Sequence, residues 1–330
     1  MKNEYEDLRA SDDFSIDAYE SRVIEVIKNH VGSGQVLLAL SGGVDSSVCA
    51  ALLAKAIPGK LHCVFVDHGL MRKNEGNEVE KAFGGRELNF VRVDAADRFL
   101  ARLAGVTDPE AKRKAIGEEF IRVFEEEARK LQKDYDNVDF LAQGTIFTDV
   151  TESGHSGHKA VKAHHNVGGL PENIDFAGLV EPLRGLYKNE VRELGRLLGL
   201  PRSITERQPF PGPGLAIRCL GEVTREKLDV LREADAIFRE ELDNAGVEAG
   251  EYFAIHTGLR SVGMNEGARM VGHMIALRAV KTIDLVTADW VRIPYEVLDR
   301  VSTRITSECP EINRVAYDIT SKPPATIEWE

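Results

Sequence analysis

At 330 residues, 43% of them hydrophobic, the chain is long enough for about two domains with well-filled cores. A formal net charge of -12 argues against a broad nucleic-acid-binding face, and no apolar run approaches the ~20 residues of a membrane span. Cys49, Cys63, Cys219 and Cys309 lack Cys-x-x-Cys spacing and read as reduced, buried residues, and the start has no signal-peptide character, so a cytoplasmic protein is expected.

Residues 1–20 are polar and acidic and lead into an amphipathic helix over 17–29, broken by Val31-Gly-Ser-Gly34. The apolar run 36–40 predicts a buried parallel strand, Ser41-Gly-Gly-Val-Asp45 a turn, and 46–56 a helix. Gly42 and Gly43 let backbone approach a ligand, and the helix N-terminus offers unpaired N–H groups. With the hydroxyls of Ser41, Ser46 and Ser47, the stretch from Ser41 through Val44 and Asp45 to Ser47 forms an anion cradle suited to phosphate or pyrophosphate. It lacks the Gly-Lys-Ser/Thr ending of a P-loop and the spacing of a dinucleotide fingerprint. The competing reading is a serine-capped turn that only joins two elements.

Residues 61–66 predict a second strand ending at Asp67, whose carboxylate either meets a nucleotide base or ribose, or caps the next segment of chain. A helix over 74–83, a strand near 90–93 and a helix over 95–103 continue a strand–helix alternation that implies a parallel sheet. Residues 105–114, with Gly, Pro and the run Lys112-Arg-Lys114, read as a loop that could fold over bound phosphates as a lid; a merely solvated basic run is the alternative. A long helix over 115–132 and a strand over 140–142 come next.

The segment 144–173 is Gly- and His-rich and poor in regular pattern, hence a candidate functional loop. Asp149 and Glu152, three apart, are hard-oxygen candidates for Mg²⁺ beside phosphates, with Lys159, Lys162, His164 and His165 supplying positive charge. The adjacent histidines diverge and lack a third partner, so zinc is not expected. A strand over 179–183 and a helix over 188–198 precede the rigid Gln208-Pro-Phe-Pro-Gly-Pro-Gly214, read as a boundary between domains 1–207 and 208–330. The second half predicts strands at 215–223, 252–255, 274–280 and 315–319 and helices at 225–244 and 295–307, an α+β pattern without its own glycine cradle. The ending, Lys322-Pro-Pro-Ala-Thr-Ile-Glu-Trp-Glu330, carries a stiff Pro-Pro and two apolar anchors, Ile327 and Trp329, that predict docking.

Taken together, the Ser-Gly-Gly-Val-Asp-Ser string, Val64-Phe-Val-Asp67, Asp108-Pro-Glu-Ala-Lys-Arg-Lys114, Leu141-Ala-Gln-Gly-Thr145, His164-His-Asn-Val-Gly-Gly-Leu-Pro171, the Pro/Gly hinge and the final nine residues resemble the ATP-pyrophosphatase and dimerisation part of the GMP synthase family along nearly the whole chain. The resemblance implies an α/β fold: a parallel-sheet ATP-pyrophosphatase domain of the adenine nucleotide alpha hydrolase type, followed by a smaller α+β dimerisation domain. It implies a C–N ligase that joins XMP, ATP and ammonia into GMP, AMP and pyrophosphate through an adenylyl-XMP intermediate, with ATP and Mg²⁺ required. Residues 41–47 would hold the pyrophosphate, with Asp45, Lys112, Lys114 and Asp149 as catalytic candidates and Asp149 and Glu152 on the metal. Arg113, Lys322, Ile327 and Glu328 would hold XMP. Only about 35 residues precede the loop, and no Cys with a following His and Glu suits glutamine hydrolysis. The chain is therefore similar to the separate synthetase subunit of the two-subunit archaeal type, implying a glutamine amidotransferase partner and a homodimer, with no nucleic acid or membrane involved. Two departures stand out: Gly267 occupies the family's usual aspartate position, beside Glu266, and Thr148 replaces a proline before Asp149. The competing functions are an adenylating tRNA-modifying enzyme, which would want a basic face or catalytic cysteines, and a non-catalytic nucleotide sensor.

Overall fold

The computed structural model describes residues 4–9, 14–136, 138–154, 176–265, 267–283 and 286–330. The chain divides into two compact units: Met1–His68, Glu75–Ala95 and Glu118–Arg207 form one, and Gly69–Asn74, Ala96–Gly117 and Gln208–Glu330 the other. Two stretches ahead of residue 207 thus cluster with the second unit.

In the first unit, helices α1 (Glu4–Asp7) and α2 (Ile16–Val31) precede strand β1 (Gln35–Leu40) and helix α3 (Val44–Ala56). Ser15 caps α2 by accepting from Ala18 N, and Gly32 ends it at φ 55°. Strand β2 (Leu61–Asp67), helix α4 (Glu75–Phe83) and strand β3 (Asn89–Asp94) follow; α5 (Ala96–Leu103) and the start of α6 (Pro109–Asp134) fall in the second unit, and the rest of α6, β4 (Val138–Ala142), α7 (Phe147–Gly154), β5 (Gly178–Val180), α8 (Lys188–Leu197) and α9 (Arg202–Thr205) in the first. The five strands pair in parallel in the order β3-β2-β1-β4-β5. Strands β1 and β2 are almost wholly buried, as their unbroken apolar runs require when both faces are covered. Helix α3 is apolar around most of its circumference and is correspondingly buried.

This strand order sets the position of the site. From β1 the chain moves outward to β2 and β3, then returns to place β4 on the other side of β1. The crevice beyond the carboxyl ends of β1 and β4 is the topological switch point, where open parallel sheets bind ligands.

In the second unit, α10 (Arg225–Asn244) is followed by a hairpin of β6 (Glu251–Asn265) and β7 (Ala268–Thr282). Strand β8 (Ala288–Trp290) pairs antiparallel with β7; after α11 (Tyr295–Glu308), β9 (Ile312–Tyr317) pairs with β7 in parallel. Helices α10 and α11 pack together and on this sheet. The fold class is the expected one, a parallel α/β unit and a smaller α+β unit.

Two expectations fail. Residues 215–223 were expected as a strand, but Gly214–Arg218 is a 3₁₀ turn. Gly214 adopts φ +63°, its Cα lies so close to the Leu70 carbonyl that a Cβ would be 2.3 Å from the oxygen, and Leu215 N donates to that same carbonyl. Leu215, Ala216 and Ile217 are buried, and a short buried apolar run does not distinguish a strand from a turn. The expected lid over 105–114 is for the most part helix, because α6 starts at Pro109 and not at Ala115. Asp108 accepts from Ala111 N through its side chain, an N-cap, and proline suits the first helical position.

Candidate active site

The loop after β1 is built as a cradle. Gly42 sits at φ +77°, and a Cβ there would lie 3.2 Å from Val79 Cγ2, so both conformation and space call for glycine. Ser41 Oγ and Ser46 Oγ lie 2.9 Å apart, and Gly43 N donates to Ser41 Oγ at 3.3 Å, closing the loop on itself. Arg207 donates to the Gly42 carbonyl at 2.6 Å and pairs with buried Glu75, pinning the turn from outside. Val44 opens α3, directing its first-turn N–H groups and dipole toward the loop.

The loop after β4 closes on the same spot. A Cβ on Gly144 would lie 3.0 Å from Asp45 C and Ser46 N, so the second loop abuts the start of α3. Two polar atoms in that first turn are buried without a hydrogen-bond partner, Asp45 Oδ1 and Ser47 Oγ. Asp45 Oδ2 is held by Lys188 Nζ at 2.6 Å, leaving Oδ1 uncommitted. An unsatisfied buried carboxylate oxygen costs about 1–3 kcal/mol or more, and such atoms call for an explanation. A hard oxygen beside a phosphate cradle suits Mg²⁺, which takes one or two carboxylates and completes its shell with phosphate oxygens and water. The residues present therefore fit that ion, although among the described residues no cluster of three or more acidic, His or Cys side chains forms.

Other expected site residues sit as follows. Asp149 is in the first turn of α7, where Oδ2 accepts from Ile146 N at 3.1 Å and so caps its own helix. The side chain of Glu152, together with Lys159, Lys162, His164, His165 and Glu266, lies outside the described residues. Asp67 Oδ2 meets Arg92 Nη2 at 2.6 Å, and Arg92 also holds Glu80 and Asn77.

In the second unit, Lys112 is wholly buried, and its ammonium donates to the carbonyls of Ala216 and Cys219 at 3.3 and 2.8 Å and to the Glu330 carboxylate. Lys112 thus lies on a helix, and a protein carboxylate occupies its ammonium. Arg113, half-buried, pairs with Glu110, and Lys114 is exposed. Lys322 exchanges two backbone hydrogen bonds with Ala288. Ile327 packs against a cluster of Phe253, Ile255 and Ala276. Glu328 is gripped bidentately by Arg218, at 3.1 and 2.7 Å. Gly267, at the position of the family aspartate, holds φ +81° in the β6–β7 turn.

Lys188, Arg207, Arg218 and Arg278 are functional residues that sequence pattern alone does not single out. Each acts on a partner 40 or more residues away, and an isolated basic residue carries no local signature of such a role. Only Arg218, four residues beyond the Pro/Gly hinge and within an apolar run, offered a hint.

A parallel sheet with an anion cradle at its switch point, and a second unit holding a docked peptide, define an α/β protein of the phosphate-cradle kind with an appended α+β domain. Residues 240–329 match the family model described as GMP synthase C terminal domain. Along 99% of its length the chain is 60% identical to a GMP synthase [glutamine-hydrolyzing] of Finegoldia magna, and along 97% it is 60% identical to that of Treponema denticola and 58% to that of Acetivibrio thermocellus. It spans 64%, 61% and 62% of those proteins' lengths. A solved NMN synthetase of Francisella tularensis superposes with a TM-score of 0.45 at 16% identity, covering 66% of this chain and 85% of that one. Over nearly all its own length the chain is thus similar to part of these GMP synthases. Among the described residues no helix is long and apolar enough to cross a membrane.

Proposed function

We propose that this chain catalyses the ATP-dependent amination of XMP to GMP, with release of AMP and pyrophosphate. The observation that carries the reading is the cradle at residues 41–47 with its two uncommitted buried oxygens, in a chain whose relatives are GMP synthases. The C2 oxygen of xanthine is a poor leaving group until it becomes a phosphate ester. It therefore attacks the ATP α-phosphorus, the bond to the β,γ-pyrophosphate breaks, and ammonia then displaces AMP at C2. The first step builds negative charge on the departing pyrophosphate. Preorganised N–H donors of the loop and of α3, with the Ser46 and Ser47 hydroxyls, stabilise that charge without reorganising. Asp45 and Asp149 would hold Mg²⁺, which when bound neutralises charge on the phosphate oxygens. Asp45 would do so through Oδ1, with Lys188 fixing its orientation. No protein nucleophile is required, so positioning dominates.

The 322–330 peptide is the proposed XMP-recognition element, with Lys322 for the phosphate, Glu328 accepting ribose hydroxyls and Ile327 against the base or sugar. Arg113 contributes positive charge. Lys114, exposed on the same helix, remains the candidate from that segment for ATP phosphates, and Asp67 a candidate for the adenosine.

Ammonia is proposed to come from a glutamine amidotransferase partner. All four cysteines are buried, and burial pushes the Cys219 and Cys309 thiols up to about 11 and raises those of Cys49 and Cys63 as well, so none is a ready thiolate. Four unpaired cysteines also suit the reducing cytoplasm. A homodimer through the second unit is supported by exposed Val262 and Met264 on β6 and Val271, which pairs with Val262, on β7; these share one face of the hairpin.

The test is an ammonium-driven assay with XMP, ATP and Mg²⁺. Formation of GMP and AMP in equal amounts is expected; their absence at every ammonium concentration sinks the reading. Turnover of the isolated chain on glutamine alone would contradict the partner.

A further inference from the structure

The 322–330 peptide is held by three buried cations, drawn from three separate stretches of the second unit. Arg278, fully buried on β7, donates to the carbonyls of Thr320, Thr326 and Ile327 at 2.7 to 3.0 Å and pairs with Asp318 at 2.7 Å. Trp329 Nε1 donates to the same Asp318 oxygen. Arg218 lies with its guanidinium carbon 3.9 Å from the Phe253 ring centroid and 5.2 Å from that of Phe210 while forking onto Glu328. Lys112, on the first turns of α6, reaches Glu330, whose other oxygen accepts from Gly221 N at 3.2 Å.

Charge burial of this kind is a poor way to gain stability. Well-packed apolar residues in place of a buried ion pair are often as stable or more so, whereas removing one partner leaves a costly isolated charge. What the pairs do provide is direction. The Arg218 fork fixes both oxygens of Glu328, whose side chain keeps 20% of its surface open. A carboxylate has about four lone-pair sites, so two stay free for hydroxyl donors. Two residues on, Glu330 is locked by Lys112, so Glu328 is held from its own side chain and from the chain beyond it.

We propose that the Lys112–Glu330 pair is a latch that presents the 322–330 peptide in a preformed, XMP-competent shape, making Lys112 and Arg218 positioning residues for XMP. This rests on the proposed function above. Preorganisation lowers the ordering cost of binding, so releasing the latch acts on XMP affinity, while ATP, held by the cradle of the first unit, is unaffected.

The test compares Lys112→Met, Glu330→Gln and the double variant by XMP titration, by KM for XMP and for ATP, and by amide hydrogen exchange over 322–330. Each single variant is expected to weaken XMP binding roughly tenfold or more and to speed exchange in the peptide, with KM for ATP within about twofold of wild type. The double variant should be no worse than the poorer single one, because one interaction is removed in each. Lys112→Met raising KM for ATP while sparing XMP would make Lys112 a phosphate ligand and overturn the proposal, as would multiplicative single effects. If Lys112→Met fails to fold, Glu330→Gln, which keeps shape and loses charge, decides alone. If the wild-type chain does not bind XMP, the functional reading has failed; the latch then stands or falls on exchange, and unchanged protection in Glu330→Gln overturns it.

Discussion

The loop at 41–47 and the peptide at 322–330 are both proposed nucleotide-recognition elements, yet they are built on opposite principles. The loop is local, its glycines and serines within seven residues of one another, and it leaves buried polar atoms of Asp45 and Ser47 without partners. The peptide is non-local: its carbonyls and carboxylates are paired by Arg218, Arg278 and Lys112 from distant stretches. An element with uncommitted polar atoms is primed for a ligand at some cost in stability. One whose polar groups are satisfied internally is a rigid platform. Substitutions in the two should therefore fail differently.

The largest effect should come from the platform. Arg278→Leu removes the ion partner of Asp318 and the donors to three carbonyls, and a loss of about 3–5 kcal/mol is expected, or about 10 °C in the melting temperature of the second unit. A drop below 3 °C by calorimetry would mean the clamp is peripheral. In the loop, Asp45→Asn should cut pyrophosphate release by about a hundredfold or more, near 3 kcal/mol of transition-state stabilisation, while leaving melting within about 2 °C. Only its half-exposed pair with Lys188 is given up, and such pairs contribute at most about 1 kcal/mol. Collapse of the fold instead of the rate would erase the distinction between the two regions.

One pH effect belongs to the second unit. Burial, with the charge of neighbouring His273 3.1 Å away, lowers His256 to about 4. The unfolded chain takes up this proton near pH 6.5 and the folded chain only near 4, so the contribution is complete above 6.5 and fades as pH falls toward 4. Roughly 2–3 kcal/mol should be lost over that window, and His256→Gln should flatten the melting-temperature profile there. The smallest effect is Gly42→Ala, at about 1–2 kcal/mol, from the positive φ and the Val79 contact. It should raise KM for ATP and leave XMP affinity alone, as titration of each nucleotide would show.

The same contrast explains what could be read from residues alone. Strand–helix alternation and the Ser-Gly-Gly string are local patterns, so the parallel sheet and the cradle were legible, and the Arg225–Asn244 helix was anticipated end to end. Residues 109–114 form helix where a loop is expected, because Asp at the cap and Pro at the first position start a helix. The strand over 215–223 was misread because burial there comes from a turn wedged against Leu70. The clamp was invisible: Lys112 and Glu330 are 218 residues apart, and only folding turns a basic run into a socket for a distant carboxylate.

The proposed activation of the xanthine C2 oxygen of XMP by ATP fixes where that oxygen must end. The most direct measurement supplies XMP carrying ¹⁸O at C2, with ATP, Mg²⁺ and ammonium, and weighs the products by mass spectrometry. The account predicts one ¹⁸O in the phosphate of AMP for each GMP formed, with none in pyrophosphate. Label appearing in water or pyrophosphate, or GMP formed without labelled AMP, would contradict it.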